Sequence, residues 1–308
     1  MKKILAVVLA AVMVISLAAC GAASKAEPEK KEAAAAEAPE KKEAAEETAA
    51  PEEKAAPEEK AEETAVAAED DTAEARTFIM GIDPEYPPFS YLGDDGEYTG
   101  FDVEVCKAAC DKLGWDFEVF GVNWDEKLVQ LDSNECDCVW SGMTILDSMK
   151  ESGYVISAPY YDNTQVLLVK TDSGIASSAD CAGKSVAVQL GTSGEALLNG
   201  DLADLAATFG ELVTCDSFLK CFTELDGGAV DAVFVDLPVA KAYAEGKDGY
   251  TIIDEGLGAE QYGIAFRSGD QALCDAIDGA VQELVKDGTY AQIADKYPDI
   301  KNNLLFLQ

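Results

Sequence analysis

The stretch Trp140–Tyr161, WSGMTILDSMKESGYVISAPYY, decides how the rest of the chain reads. It begins where Asp137-Cys138-Val139-Trp140 predicts the end of a buried strand. Ser141, Gly142 and Thr144 follow, small residues that leave hydroxyls and backbone N–H groups free at the strand's carboxyl end. That is where ligands of open α/β sheets sit. A polar loop then runs into Pro159-Tyr160-Tyr161 and a new β-rich run, Gln165–Lys170. The expectation is a ligand-facing loop between two strands.

Working outward, Thr77–Ile82 (TFIMGI) predicts a first strand ending at Asp83, and Pro84, Pro87 and Pro88 hold Tyr86 and Phe89 on a stiff turn. Asp94-Asp95-Gly96 is a hairpin-turn signal; it lacks the alternate ligand spacing of a calcium loop. A helix opens at Gly100-Phe101-Asp102, with Asp102 as N-cap and Val103, Cys106, Cys110 and Leu113 at helical spacing up to Gly114. Trp115–Phe120 predicts a strand, and Asn123-Trp124-Asp125 starts a short helix through Leu131. Val166–Val169 predicts a strand crossing to a second lobe. There Lys184–Val188 leads into Gln189-Leu190-Gly191-Thr192-Ser193-Gly194, a turn and helix start whose N–H groups suit a carboxylate. The lysine of a phosphate-binding loop is missing. Phe218–Leu225 predicts a helix, and Ala229–Val235 a buried strand ending at Asp236. An acid at the end of an apolar strand is costly unless paired, and a bound ammonium is a natural partner. Asp275–Val285 and Thr289–Lys296 predict amphipathic helices, so the body reads as two α/β lobes.

Composition narrows the function. The 308 residues contain no histidine, which excludes Ser-His-Asp and Cys-His catalysis and His-ligated zinc. A net charge of −36 repels phosphate backbones, so nucleic acid is excluded as a partner. Lys2-Lys3, an apolar run Ile4–Leu17 and Leu17-Ala18-Ala19-Cys20 read as a secretory signal, too short to span a bilayer. The last four residues resemble a bacterial lipobox, which makes Cys20 the lipidated, membrane-anchored first residue of the mature protein. Residues 21–76 are almost all Ala, Glu, Lys and Pro with nothing to bury, a disordered tether spanning on the order of 40 Å. The eight further cysteines read as buried thiols: Cys106 and Cys110 share an apolar helix face, and Cys136-x-Cys138 has no second pair for a metal.

Ser141-Gly142-Met143-Thr144, Ile156-Ser157-Ala158-Pro159-Tyr160-Tyr161, the Y-P-P-F-S-Y run from Tyr86 and Tyr262-Gly263-Ile264-Ala265-Phe266 occur in the order seen in one family. They resemble the extracellular solute-binding proteins of amino-acid ABC transporters, over Thr77 to about Tyr297. The resemblance implies a two-lobed type-II periplasmic-binding-protein fold with two crossover strands. Lobe 1 would be residues 77–165 plus 262–308, and lobe 2 residues 166–261. It also implies a monomeric, exported receptor, lipid-anchored to the outer face of the cell membrane, that docks on ABC permease subunits. An amino acid or related amine would bind in the cleft with no cofactor, metal or catalysis. Carried over residue by residue, Asp236 would hold the ammonium. Thr144 and Thr192–Gly194 would hold the carboxylate, Tyr86 and Trp124 the side chain, and Asp83, Ser141, Gly142 and Gln189 would complete the wall. The family's carboxylate-clamping arginine is absent: counting from Thr144 its slot is Met149, counting back from Pro159 it is Lys150. Lys150 would be a point charge without the planar fork. With that clamp weakened, an enzyme on the same fold, dehydratase- or lyase-like, and a sensor or adhesion module are the alternatives.

Overall fold

In the computed structural model residues 76–308 are described. The signal, Cys20 and the tether up to Ala75 lie outside the described residues. Arg76, placed by the sequence at the end of the tether, already belongs to the body. Its Nη2 pairs with Asp137 Oδ1 at 2.8 Å and its guanidinium lies over the Trp115 ring.

Strand Thr77–Ile82 sits inside a five-stranded sheet, between Asp116–Gly121 and Cys138–Val139, both parallel to it. Ala265–Phe266 and Val155–Ile156 extend this sheet antiparallel. Its inward side chains Phe78, Met80 and Ile82 are fully buried, as the alternation of TFIMGI requires. Helix Phe101–Leu113 covers it and packs on helix Gln271–Asp287, and Gly114 ends the first helix in the left-handed region at φ 73°. The cap before it is Gly100, not the expected Asp102. Asp102 is drawn inside the protein because its carboxylate has another task, described below. Asp94-Asp95-Gly96 lies in the expected hairpin turn, joining Ser90–Leu92 to Tyr98–Thr99.

The second lobe is built on a sheet ordered Glu211–Cys215, Ser185–Gln189, Ala232–Asp236, Tyr161–Lys170, Tyr250–Ile253. The first three are parallel to one another, and Tyr161–Lys170 pairs antiparallel with both of its neighbours. Strand Tyr161–Lys170 is longer than its apolar half, Val166–Val169, suggests. Its polar half, with Asn163 and Gln165, pairs with Ala259–Tyr262 as the chain returns towards the first sheet. These two antiparallel strands are the crossovers of a two-lobed α/β fold. The eight described cysteines are all buried with free thiols, most of them inside the aliphatic and aromatic core.

Candidate functional site

Where the lobes meet, Tyr86, Trp124, Lys127, Gly142, Met143, Thr144, Leu146 and Met149 face Gly191, Thr192, Ser193 and Asp236 across a pocket of about 30 Å³. That volume suits one or two water molecules. Each wall is set by a short run of chain. On one side, Ser141 Oγ accepts the Asp83 N–H at 3.0 Å and lies 2.5 Å from Ser90 Oγ, so Ser141 stands behind the pocket and ties its loop to the first strand. Gly142, at φ 54°, donates its N–H to Asp102 Oδ2 at 2.8 Å, and the Tyr160 hydroxyl donates to the same oxygen. A Cβ on Gly142 would lie 2.3 Å from Tyr86 Cε1, so only glycine leaves room for that ring. Full burial raises the Asp102 carboxyl to about 7, against the lowering effect of these donors.

Tyr86 packs on Phe89 of its own lobe and on Phe218 of the other. Its hydroxyl is 2.8 Å from that of Tyr262, which donates to Asp236 Oδ1 at 2.8 Å. Asn163 and Gln165 donate to the same oxygen at 2.7 and 2.8 Å. Both amides also donate to Glu260 Oε1, at 2.7 and 2.9 Å, so two carboxylates share one pair of donors. Burial, reinforced by Glu260, holds Asp236 well above the usual carboxylate range. Tyr262, Asn163 and Gln165 all reach it through Oδ1, and the nearby Tyr86 hydroxyl offsets part of the effect of burial. The site therefore favours either a proton on Asp236 or a cation beside it.

Cross-lobe contacts close the pocket. Gln189 Nε2 donates to Asp83 Oδ2 at 2.7 Å, with both side chains buried, and Thr144 Oγ1 donates to Ser193 Oγ at 3.1 Å. Gly191, at φ 73°, comes so near that a Cβ there would lie 2.6 Å from Asp125 Cα. The Thr192 hydroxyl is engaged by its own helix, accepting from Glu195 N at 3.2 Å and donating to Gln189 O at 2.7 Å. It has no hydrogen left for a ligand, which leaves Thr144, Ser193 and backbone N–H groups on that wall.

Of the residues singled out in the sequence, Tyr86, Trp124, Gly142, Thr144, Thr192, Ser193 and Asp236 line the pocket. Asp83, Ser141 and Gln189 form the layer behind it. Lys150 does neither. It is exposed on the outer side of helix Asp147–Glu151, because a helix turns about 100° per residue and Met149 takes the inward position. Of the two candidates for the arginine's slot, Met149 lines the pocket and Lys150 faces away from it. Sequence reading missed Lys127, Glu260, Asn163 and Gln165. The last two carried a usable signal, polar residues two apart on one face of a strand.

The comparisons agree with this architecture. The profile of the bacterial extracellular solute-binding proteins, family 3, matches residues 78–299. The L-cystine-binding protein TcyJ of Escherichia coli K12 is 33% identical over 227 residues, covering 73% of this chain and 83% of TcyJ. A substrate-binding protein of an ABC uptake transporter from Streptococcus pneumoniae, solved with bound histidine, superposes with a TM-score of 0.69 at 28% identity, covering 71% of this chain and 91% of that one. The ancestral amino-acid-binding protein AncCDT-1, a precursor of cyclohexadienyl dehydratase, gives a TM-score of 0.65 at 32% identity, with 71% and 94% covered. By profile, relatives and fold, the chain belongs to the bacterial extracellular solute-binding proteins, family 3.

Proposed function

We propose that this protein is the receptor of an ABC importer and binds one amino acid or related amine between its lobes, without turning it over. The observation that carries this reading is Asp236, an acid buried at the end of an apolar strand and lining the pocket, with Tyr262, Asn163 and Gln165 all donating to Oδ1 and no cationic side chain paired with it among the described residues. An α-ammonium supplies the missing charge. Tyr86 and Trp124 offer apolar faces to the side chain, and the Thr144–Ser193 wall offers hydroxyls and N–H groups to the carboxylate. Since the pocket holds only about 30 Å³, a ligand enters when the lobes part and is enclosed when they close. A thermal-shift panel tests the reading. At a concentration 100 times its dissociation constant, a ligand bound only by the folded state adds about 2.7 kcal/mol of stability. A clear rise in the unfolding midpoint is therefore expected with one or a few L-amino acids. A midpoint unmoved by any amino acid or amine would overturn it.

Attachment to the outer face of the cell membrane through a lipidated Cys20, with the Ala/Glu/Lys/Pro tether as spacer, belongs to the same proposal. It is supported by the signal and lipobox pattern at Leu17–Cys20. Cys20→Ser is expected to release most of the protein from the membrane fraction into the medium or periplasm, read by fractionation and immunoblot. Undiminished retention on membranes would contradict the anchor.

A further inference from the structure

The pocket needs a cation for a carboxylate, and the expected place for it, on helix Asp147–Glu151, holds Met149. The pocket wall nevertheless contains a lysine. Lys127 begins helix Lys127–Asp132, directly after the turn that carries Trp124. Its side chain bends back over that residue, with Nζ 4.8 Å from the centre of the Trp124 ring. Nζ donates to two neutral carbonyls, Trp124 O at 3.0 Å and Gly191 O at 2.7 Å, one from each lobe. No carboxylate lies within ion-pairing distance of it among the described residues. Asp83, Asp125 and Glu195 act on it only from farther away, and partial burial brings its pKa down to about 8. This is a half-buried ammonium held at the seam with one N–H free after its two bonds.

We propose that Lys127 is the specificity-determining cation of this pocket, the group that reads the ligand's carboxylate in place of an arginine on helix Asp147–Glu151. This rests on the reading of the pocket as an amino-acid site. Lys127 and Asp236 stand in opposite walls of one small cavity, a positive and a negative group for the two ends of a zwitterion. Because Nζ also bonds Gly191 O, the carboxylate's partner is fixed only when the lobes are together, which couples recognition to closure. A ligand with an ammonium and no carboxylate would leave this cation without a counter-charge, so amines are discriminated against.

The test compares L-histidine, L-arginine and L-cystine with their carboxamides by calorimetric titration, on wild type, Lys127→Met and Lys127→Arg. For whichever acid binds, Lys127→Met is expected to weaken it about 10- to 100-fold while leaving its carboxamide within about threefold. Lys127→Arg is expected to recover most of the acid's affinity, as is Met149→Arg placed on the Lys127→Met background. The carboxamide doubles as a control for an intact fold. An equal loss for acid and carboxamide would make Lys127 a purely structural latch and overturn the assignment, as would no loss for either. Those results leave the amino-acid site itself standing. Wild type that binds none of the three, nor any other L-amino acid, overturns that site and the assignment together.

Discussion

Asp236→Ala is expected to weaken binding of an α-amino acid at least about 100-fold, measured as the dissociation constant, because it removes the counter-charge of a desolvated ammonium. The magnitude follows from where the carboxylate sits. Asp236 is buried at the end of strand Ala232–Asp236, fixed by Tyr262, Asn163 and Gln165 through Oδ1. Its position is set in the free protein, so binding pays no cost to order it. Alanine leaves Asn163 and Gln165 with Glu260 and the Tyr262 hydroxyl with that of Tyr86, none of which restores a charge at the position of Asp236. Asp236→Asn keeps the shape and the acceptor but not the charge. It is expected to fall with the alanine variant in affinity while staying near wild type in stability.

The second large effect concerns stability and pH. Asp102 has a carboxyl raised by burial from 3.8 to about 7. Below about pH 4 both folded and unfolded chains carry this proton. Between there and 7 the unfolded chain ionises while the folded one keeps its proton, so this group costs stability as pH rises. The cost grows by about 1.4 kcal/mol per unit and reaches about 4 kcal/mol above pH 7. The protein tolerates it because the same carboxyl accepts the Gly142 N–H and the Tyr160 hydroxyl and so holds the pocket loop. Asp102→Asn keeps an acceptor for both donors and cannot ionise. In urea unfolding at about pH 4 and pH 7.5, the variant's stability relative to wild type is expected to rise by about 4 kcal/mol between the two. A constant difference would show that Asp102 ionises freely and has no such place in the fold.

Much of this was legible in the sequence, for identifiable reasons. TFIMGI and AVFVD announce buried strands because their apolar residues are confined to short runs bounded by turn residues, and Asp236 stands out as the acid that ends one. Gly142 and Tyr86 were visible as a glycine in a strand-end loop and a proline-braced aromatic. That each makes room for the other appears only in three dimensions. The choice between Met149 and Lys150 was beyond counting, since one added loop residue shifts a helix by 100°. In the structure Met149 is the one that is buried and faces the pocket. Lys127 follows Asp125 and Glu126, and in sequence such a charged run reads as a solvated helix face. It reaches the pocket because Gly191 of the other lobe comes down onto Asp125. Glu260 was hidden for a related reason. Its strand, AEQY, is short and polar, and its role comes from pairing beside Asn163 and Gln165. Asp102 read as a cap because an acid near a helix start commonly is one, and nothing local reveals that it turns inward.

The central claim is that the Asp236 pocket captures an ammonium, and proton release on binding tests it most directly. Asp236 is held well above the usual carboxylate range by burial and by Glu260. A cation arriving beside it favours the ionised form and displaces the proton. Calorimetric titration of wild-type protein over a range of about pH 5 to 8, in two buffers of different ionisation enthalpy, is therefore expected to show one amino acid bound per chain, with proton release that grows as pH falls into the range where the free protein holds the Asp236 proton. The release should be absent from Asp236→Asn at ligand concentrations high enough to saturate it. Saturable binding with the same proton balance and the same affinity in wild type and Asp236→Asn would contradict the account.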